Sequence, residues 1–289
     1  MFSFRYHAIT LIAVFLALGI GVLLGVSIGE GGFVSDASKD LERSLRGDLR
    51  DARKRNSELR AELGIRNDFE AEAYPGLVAD LLPGFRIGIV AIGGLPAGYA
   101  AAVRDAIEPA GAELASVSVI SAPPPLEQLS EALRRTSLSR IDREQGDLDR
   151  FGRRLGRALA NGGGFVERVR SELMSSSRGE YRGLDGVVWV RDRDALDGEE
   201  REAQDRLEAA ILDGLRSTET EVAGVEMRDT DPSQVPFMRE QGLSTVDDLD
   251  LVAGRAALVY ALLGANGHFG VKQSAGQLIP PPPREEGSR

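Results

Sequence analysis

Apolar residues fall along this chain in three rhythms. The first is an unbroken run. Ala8 to Gly29 reads AITLIAVFLALGIGVLLGVSIG, 22 residues without a charge. At ~1.5 Å rise per residue a helix of that length is about 33 Å long, enough to cross a bilayer core of roughly 30 Å. Its hydroxyls, Thr10 and Ser27, can bond back to helix carbonyls. A cleaved secretory signal would have a shorter apolar core and a small-x-small site. Gly25-Val26-Ser27 is a poor site of that kind, so residues 1–30 are read as a permanent transmembrane anchor. Ala17, Gly21, Gly25 and Gly29 recur every fourth residue and line one helix face with small side chains, the pattern of a helix-packing face in lipid.

The second rhythm is a heptad. Leu45, Leu49, Ala52, Asn56, Leu59 and Leu63 are spaced 4, 3, 4, 3, 4 within an intensely charged stretch. Residues at these intervals form the seam of a coiled coil, and an Asn at an a position fixes register and pairing. Residues 31–66 are therefore predicted to be a coiled-coil stalk. It opens after a break at Gly31-Gly32 and pairs in parallel as a homodimer or higher oligomer. The alternative is an amphipathic helix packed on its own domain.

The third rhythm is an alternation of short apolar runs with helical patterns. Tyr74-Pro75-Gly76 and Pro83-Gly84 punctuate the chain ahead of it. Arg86–Ile92 and Glu113–Ile120 read as strands, with a helix from about Pro96 to Ala110 between them. Strand, helix and strand in so few residues form a βαβ unit with parallel strands. Leu126 to Met174 reads as an Arg-rich helical insertion after Pro123-Pro124-Pro125. Gly186–Val190 and Glu221–Met227 read as further strands around a helix over Gly198–Arg216. Leu243–Val246 adds a short one, and Leu251–Leu263 is too short and too interrupted by Arg255 to span lipid. Residues 84–279 are thus predicted to be an α/β domain of three layers with a mainly parallel sheet. Residues 280–289, opening on prolines, are predicted to be a disordered tail.

The chain has 289 residues and a net charge of −10, which argues against nucleic acid as a partner. It has no cysteine, so disulfides and thiolate sites are excluded. Gly93-Gly94-Leu95-Pro96 sits between a strand and a helix but meets neither the dinucleotide pattern nor the phosphate-loop Lys, and is read as a tight turn. Asp247, Asp248 and Asp250 lack the spacing of a calcium loop, and Asp248 or Asp250 suits a helix N-terminus. Histidines stand at 7 and 268, and Met174, Met227 and Met238 are scattered. Soft Cu(I) prefers clustered thiolates and thioethers. His268 is the weak candidate for a metal ligand, and no cofactor is predicted. No catalytic constellation is visible, so the chain is read as a non-enzyme. Arg5 before the span and Lys39 and Arg43 after it set orientation weakly; the short leading segment favours an N-in, C-out chain whose bulk is extracytoplasmic, in the cell membrane or cell envelope.

Two stretches resemble a known family. FRYHAITLIAVFLALGIGVLLG, with Arg5, His7, Ala17 and Gly21, resembles the start of the actinobacterial copper transport outer-membrane protein family, the MctB family. Gly254 to Pro280, with Ala257, Leu262, Gly267-His268-Phe269-Gly270 and Pro280, is similar to its closing motif. The order of span, short coiled coil and α/β body also resembles that family. The resemblance implies a component of copper transport, efflux and homeostasis, with copper as the transported ion. One span cannot enclose a pore, so conduction would require several chains. A non-transporting envelope scaffold, or an interaction module with an envelope protein partner, is the competing reading.

Overall fold

The computed structural model describes residues 4–29, 33–192, 196 and 198–281. The expected break at Gly31-Gly32 and the end of the tail lie outside the described residues. Two compact units divide the chain, Met1–Asp68 and Phe69–Arg289.

The first unit is helical. Helix α1 (Phe4–Gly29) contains an apolar window, His7–Val26, of which 0% is buried. Thr10 Oγ1 donates to the carbonyl of His7 at 3.2 Å, so its polarity is satisfied locally. Helix α2 (Phe33–Val78) runs on into the second unit. Arg46 pairs with Glu42, and Arg66 with Glu62, each at 2.6 Å across one turn. Such exposed pairs contribute only a few tenths of a kcal/mol each, roughly 0.3–0.5. Leu45, Leu49, Leu59 and Leu63 all face solvent.

The sequence predicts a stop at Tyr74-Pro75-Gly76, and here the structure differs: Pro75 lies inside α2. Proline removes one helical hydrogen bond and disfavours helix in the residue before it. Tertiary packing outweighs that cost. Tyr74 and Val78 are buried, and Tyr74 Oη donates to the carbonyl of Ala106 at 2.7 Å.

The second unit is the α/β body. Its described strands are β1 (Arg86–Gly93), β2 (Glu113–Ile120), β3 (Met174–Gly179), β4 (Gly186–Asp192), β5 (Glu221–Val225), β6 (Ser244–Val246) and β7 (His268–Phe269). They form one sheet in the order β3-β2-β1-β4-β5-β6-β7. Every pair is parallel except β2 with β3. Helices α3 (Tyr99–Ile107) and α9 (Val252–Leu262) pack on one face with Ile89, Ala91, Val188 and Val190. The other face holds α4 (Leu126–Ala132), α5 (Gln145–Asn161), α6 (Gly164–Leu173), α7 (Gly198–Arg216) and α8 (Val235–Glu240) around Phe151, Leu155, Trp189 and Ile211. The predicted α/β class, with an apolar N-terminal helix and a mainly parallel sheet, is the observed one.

Helices α5 and α7 approach closely because glycines face the contact. A Cβ on Gly156 would sit 2.1 Å from the carbonyl oxygen of Ile211, and one on Gly214 would sit 2.3 Å from that of Arg153. Two short strands depart from the sequence reading. Met174 does not end a helical insertion; it opens β3, whose Ser-Ser-Ser-Arg run has no β-branched residue to announce a strand. His268, for which no strand is predicted, lies in β7 beyond the last helix and pairs with Thr245 across the ladder.

Candidate functional site

Open parallel sheets gather functional groups beyond the carboxyl ends of their strands, where strand order reverses. That reversal falls between β1 and β4 here. β1 ends there in Gly93, whereas three strands on the other side close with polar residues after an apolar run: Arg191 after Val187–Val190, Glu226 after Ala223–Val225, and Asp247-Asp248 after Val246. All four are buried.

Arg191 is the centre of the first cluster. Its Nε donates to Glu208 Oε2 at 2.9 Å, its Nη1 donates to Gln234 Oε1 at 3.1 Å, and its Nη2 pairs with Asp205. The guanidinium lies 3.6 Å from the centroid of the Phe237 ring. Glu208, 0% exposed, also accepts from Gln204 Nε2 at 3.1 Å. Burial pushes the Glu208 carboxyl above its ordinary range, and the Arg191 charge opposes that push. An unpaired buried charge is costly, so each partner requires the other.

Glu226 is the centre of the second. It accepts from Ser233 Oγ at 2.7 Å, from the Gln234 amide at 2.6 Å and from Lys272 Nζ at 2.5 Å. Lys272 Nζ also donates to the carbonyl of Thr230 at 2.9 Å. Tyr99 Oη shares a hydrogen bond with Thr230 Oγ1 and accepts from the Met227 amide, both at 3.1 Å. Burial raises the Tyr99 pKa. Gln234 joins the two clusters, since its side chain meets Arg191 and its amide meets Glu226. Asp247 Oδ1 accepts from the amides of Val271 and Lys272 at 2.8 and 3.2 Å.

Asp248 differs from these neighbours. It is 0% exposed and neither carboxylate oxygen has a hydrogen-bond partner among the described residues. Burial, with help from Asp247 and Asp250, pushes its pKa up to about 6. The sequence places Asp248 or Asp250 near a helix start, and α9 does begin at Val252. Asp250 Oδ1, however, accepts from the Arg228 amide at 2.9 Å.

The other candidates from the sequence are dispersed. His268 Nδ1 is 3.0 Å from Thr245 Oγ1, and desolvation, then Arg239, lowers its pKa. Met174 and Met238 lie on one face of the sheet and Met227 on the other. Among the described residues no group of three or more His, Asp or Glu is placed to hold a metal ion. The Gly93-Gly94 turn bonds to the neighbouring strand end, the Gly94 amide donating to the Asp192 carbonyl at 3.0 Å. Ala17, Gly21 and Gly25 are exposed on α1, and Gly29 is its last residue. Ala52 and Asn56 are exposed on α2 with the four seam leucines.

The ionic residues at the strand ends escape a search for catalytic or metal motifs. Their signal is positional. Arg191 and Glu226 are the first charges after strand cores, and Glu208 occupies a buried phase of α7 beside Leu207 and Ile211. Satisfied in this way, they pin the loops 226–234 and 267–272 to the sheet.

These features define an α/β body joined in sequence to an apolar helix of membrane-spanning length. A family model described as copper transport outer membrane protein, MctB, matches residues 1–280, and the chain belongs to that family. No curated protein matches the chain.

Proposed function

We propose that this chain is a single-pass component of the cell envelope that serves copper homeostasis through assembly. Helix α1 anchors it, the bulk of the chain is extracytoplasmic, and the seam on α2 joins copies in parallel. The seam carries the reading: four leucines at heptad spacing stand 50–59% exposed in an isolated chain. Fully burying one leucine contributes roughly 1.5–3 kcal/mol, so a matching helix is the natural cover. The family supports the link to copper. The body's described residues instead use their ionic groups on one another, which supports a scaffold over a tight copper carrier.

The test is complementation. In cells lacking the chain, the unmodified protein should restore normal copper content. A Leu49→Glu, Leu59→Glu variant, still membrane-inserted and folded, should not. Full restoration by that variant would remove the role of assembly. A conducting assembly is the second reading, favoured by the family description. Copper flux into liposomes carrying the purified full chain, above the flux of empty liposomes, would establish it.

A further inference from the structure

The two edges of the sheet are finished differently. At β7 the chain folds back, and Gln277 forms a bridge to Phe269 that covers the edge. At β3 the ladder has, among the described residues, a partner on one side only, β2. The phase of that ladder is fixed by one bond: the Glu180 amide donates to the Ala115 carbonyl at 3.0 Å, while Gly179 pairs with Ser116. In an antiparallel pair, alternate residues bond to the neighbouring strand. Ser176 and Arg178 therefore bond to β2, and the N–H and C=O of Ser177 point away from the sheet. Among the described residues they have no backbone partner. Natural edges are guarded by charged side chains, Pro, a bulge or a cover. In MSSSRG there is no Pro, the register shift falls at Ser175, the one charge is Arg178, and Ser176 and Ser177 are small and uncharged.

We propose that β3 pairs antiparallel with β3 of a second copy, with Ser177 on the two-fold axis. Ser177 then exchanges both backbone hydrogen bonds with the partner's Ser177. Ser176 faces the partner's Arg178, so no like charges stand directly opposite. Identical antiparallel strands form an isologous contact, which closes as a dimer. The second copy is favoured over a free peptide by area. A six-residue edge falls well short of the roughly 1,200 Å² that a stable free complex buries. A copy already tethered meets it at an effective concentration on the order of millimolar. In this respect the inference rests on the self-association proposed above. A consequence is local: a groove of about 570 Å³ lies beside α3, lined in part by Val117, Val119, Ser176 and Arg178. The two-fold axis sets two such grooves side by side on one face of a continuous sheet.

The absence of cysteine makes the test direct. The full chain in native membranes carries Ser176→Cys or, separately, Asn56→Cys, and is treated with a short bis-maleimide. Both should give cross-linked dimer. Adding Ser177→Pro should reduce the Ser176→Cys dimer at least tenfold and leave the Asn56→Cys dimer unchanged. Proline is tolerated where an edge N–H faces solvent. Hydrogen exchange at the Ser177 amide needs no substitution within β3. Protection at least tenfold stronger than in Leu49→Glu, Leu59→Glu supports the pairing, and equally fast exchange in both overturns it. Cross-linking at Asn56→Cys alone overturns the edge contact and keeps the stalk. Cross-linking at Ser176→Cys alone keeps the edge contact and removes the stalk. Cross-linking at neither overturns both.

Discussion

Leu49 on α2 and Leu155 on α5 are the same residue in the same kind of element, yet one is 50% exposed and the other 0%. The difference lies in what faces them. On α5, Gly152 and Gly156 let α7 approach until no Cβ would fit between. On α2, Leu49 sits among exposed apolar and charged residues of its own helix. The body supplies its own interior; the N-terminal unit leaves its apolar residues exposed in the single chain. Stability in the first case is a property of one chain, and in the second of an environment.

The comparison breaks most severely where the body depends on its own interior. Arg191→Ala leaves Glu208 buried without its counter-charge and should cost about 3–5 kcal/mol by chemical denaturation. Replacing both as Arg191→Met, Glu208→Leu should recover most of that loss. If the single and double variants are equally unstable, the ion pair is not what matters.

Asp248→Asn comes next. The native carboxyl binds its proton up to about pH 6, whereas in the unfolded chain it releases it at the ordinary carboxylate range. The native state therefore holds more protons between about pH 4 and 6, and stability from this group falls as pH rises through that window. Above it the penalty is at most about 3 kcal/mol, from roughly 1.36 kcal/mol per pKa unit. Asp248→Asn should be more stable than the unmodified chain at pH 7.5 and should lose that part of the pH slope. Identical pH profiles in denaturant titrations would show that Asp248 carries no such penalty.

The proposed seam on α2 should respond in assembly more than in folding. Asn56→Leu should stabilise the oligomer against dilution while broadening its stoichiometry, because a buried amide selects register. Sedimentation across a concentration series reads both. The smallest effect is expected from Leu49→Glu on the body's own unfolding, within about 0.5 kcal/mol for an exposed substitution. A larger loss would mean that α2 is covered by its own chain.

Elements with strong periodicity were legible in the sequence. The βαβ unit over residues 86–120, strand β4 and helix α7 all declare themselves through runs of Ile, Val and Leu at strand or helix spacing. Strand β3 did not, because a pairing partner rather than its serines makes it a strand. The last turn of α2 was hidden by Pro75, whose cost is met by the distant Ala106 carbonyl. The ionic clusters were hidden for a related reason. Glu226 and Lys272 are 46 residues apart and become a pair only when the sheet brings their loops together.

That pair also has a meaning in time. A ribosome delivers the chain from its N-terminus at roughly 5–20 residues per second, and domains fold as units as they emerge. Glu226 emerges several seconds before Lys272 at such rates, and until then its carboxylate lacks the Lys272 ammonium it meets in the finished fold. Strand β7 and the backbone donors to Asp247, the amides of Val271 and Lys272, arrive in the same late segment. Completion of the body is therefore tied to residues 268–272: a nascent chain stalled before residue 268 holds most of the sheet but lacks the Lys272 ammonium for Glu226 and the Val271 and Lys272 amides for Asp247.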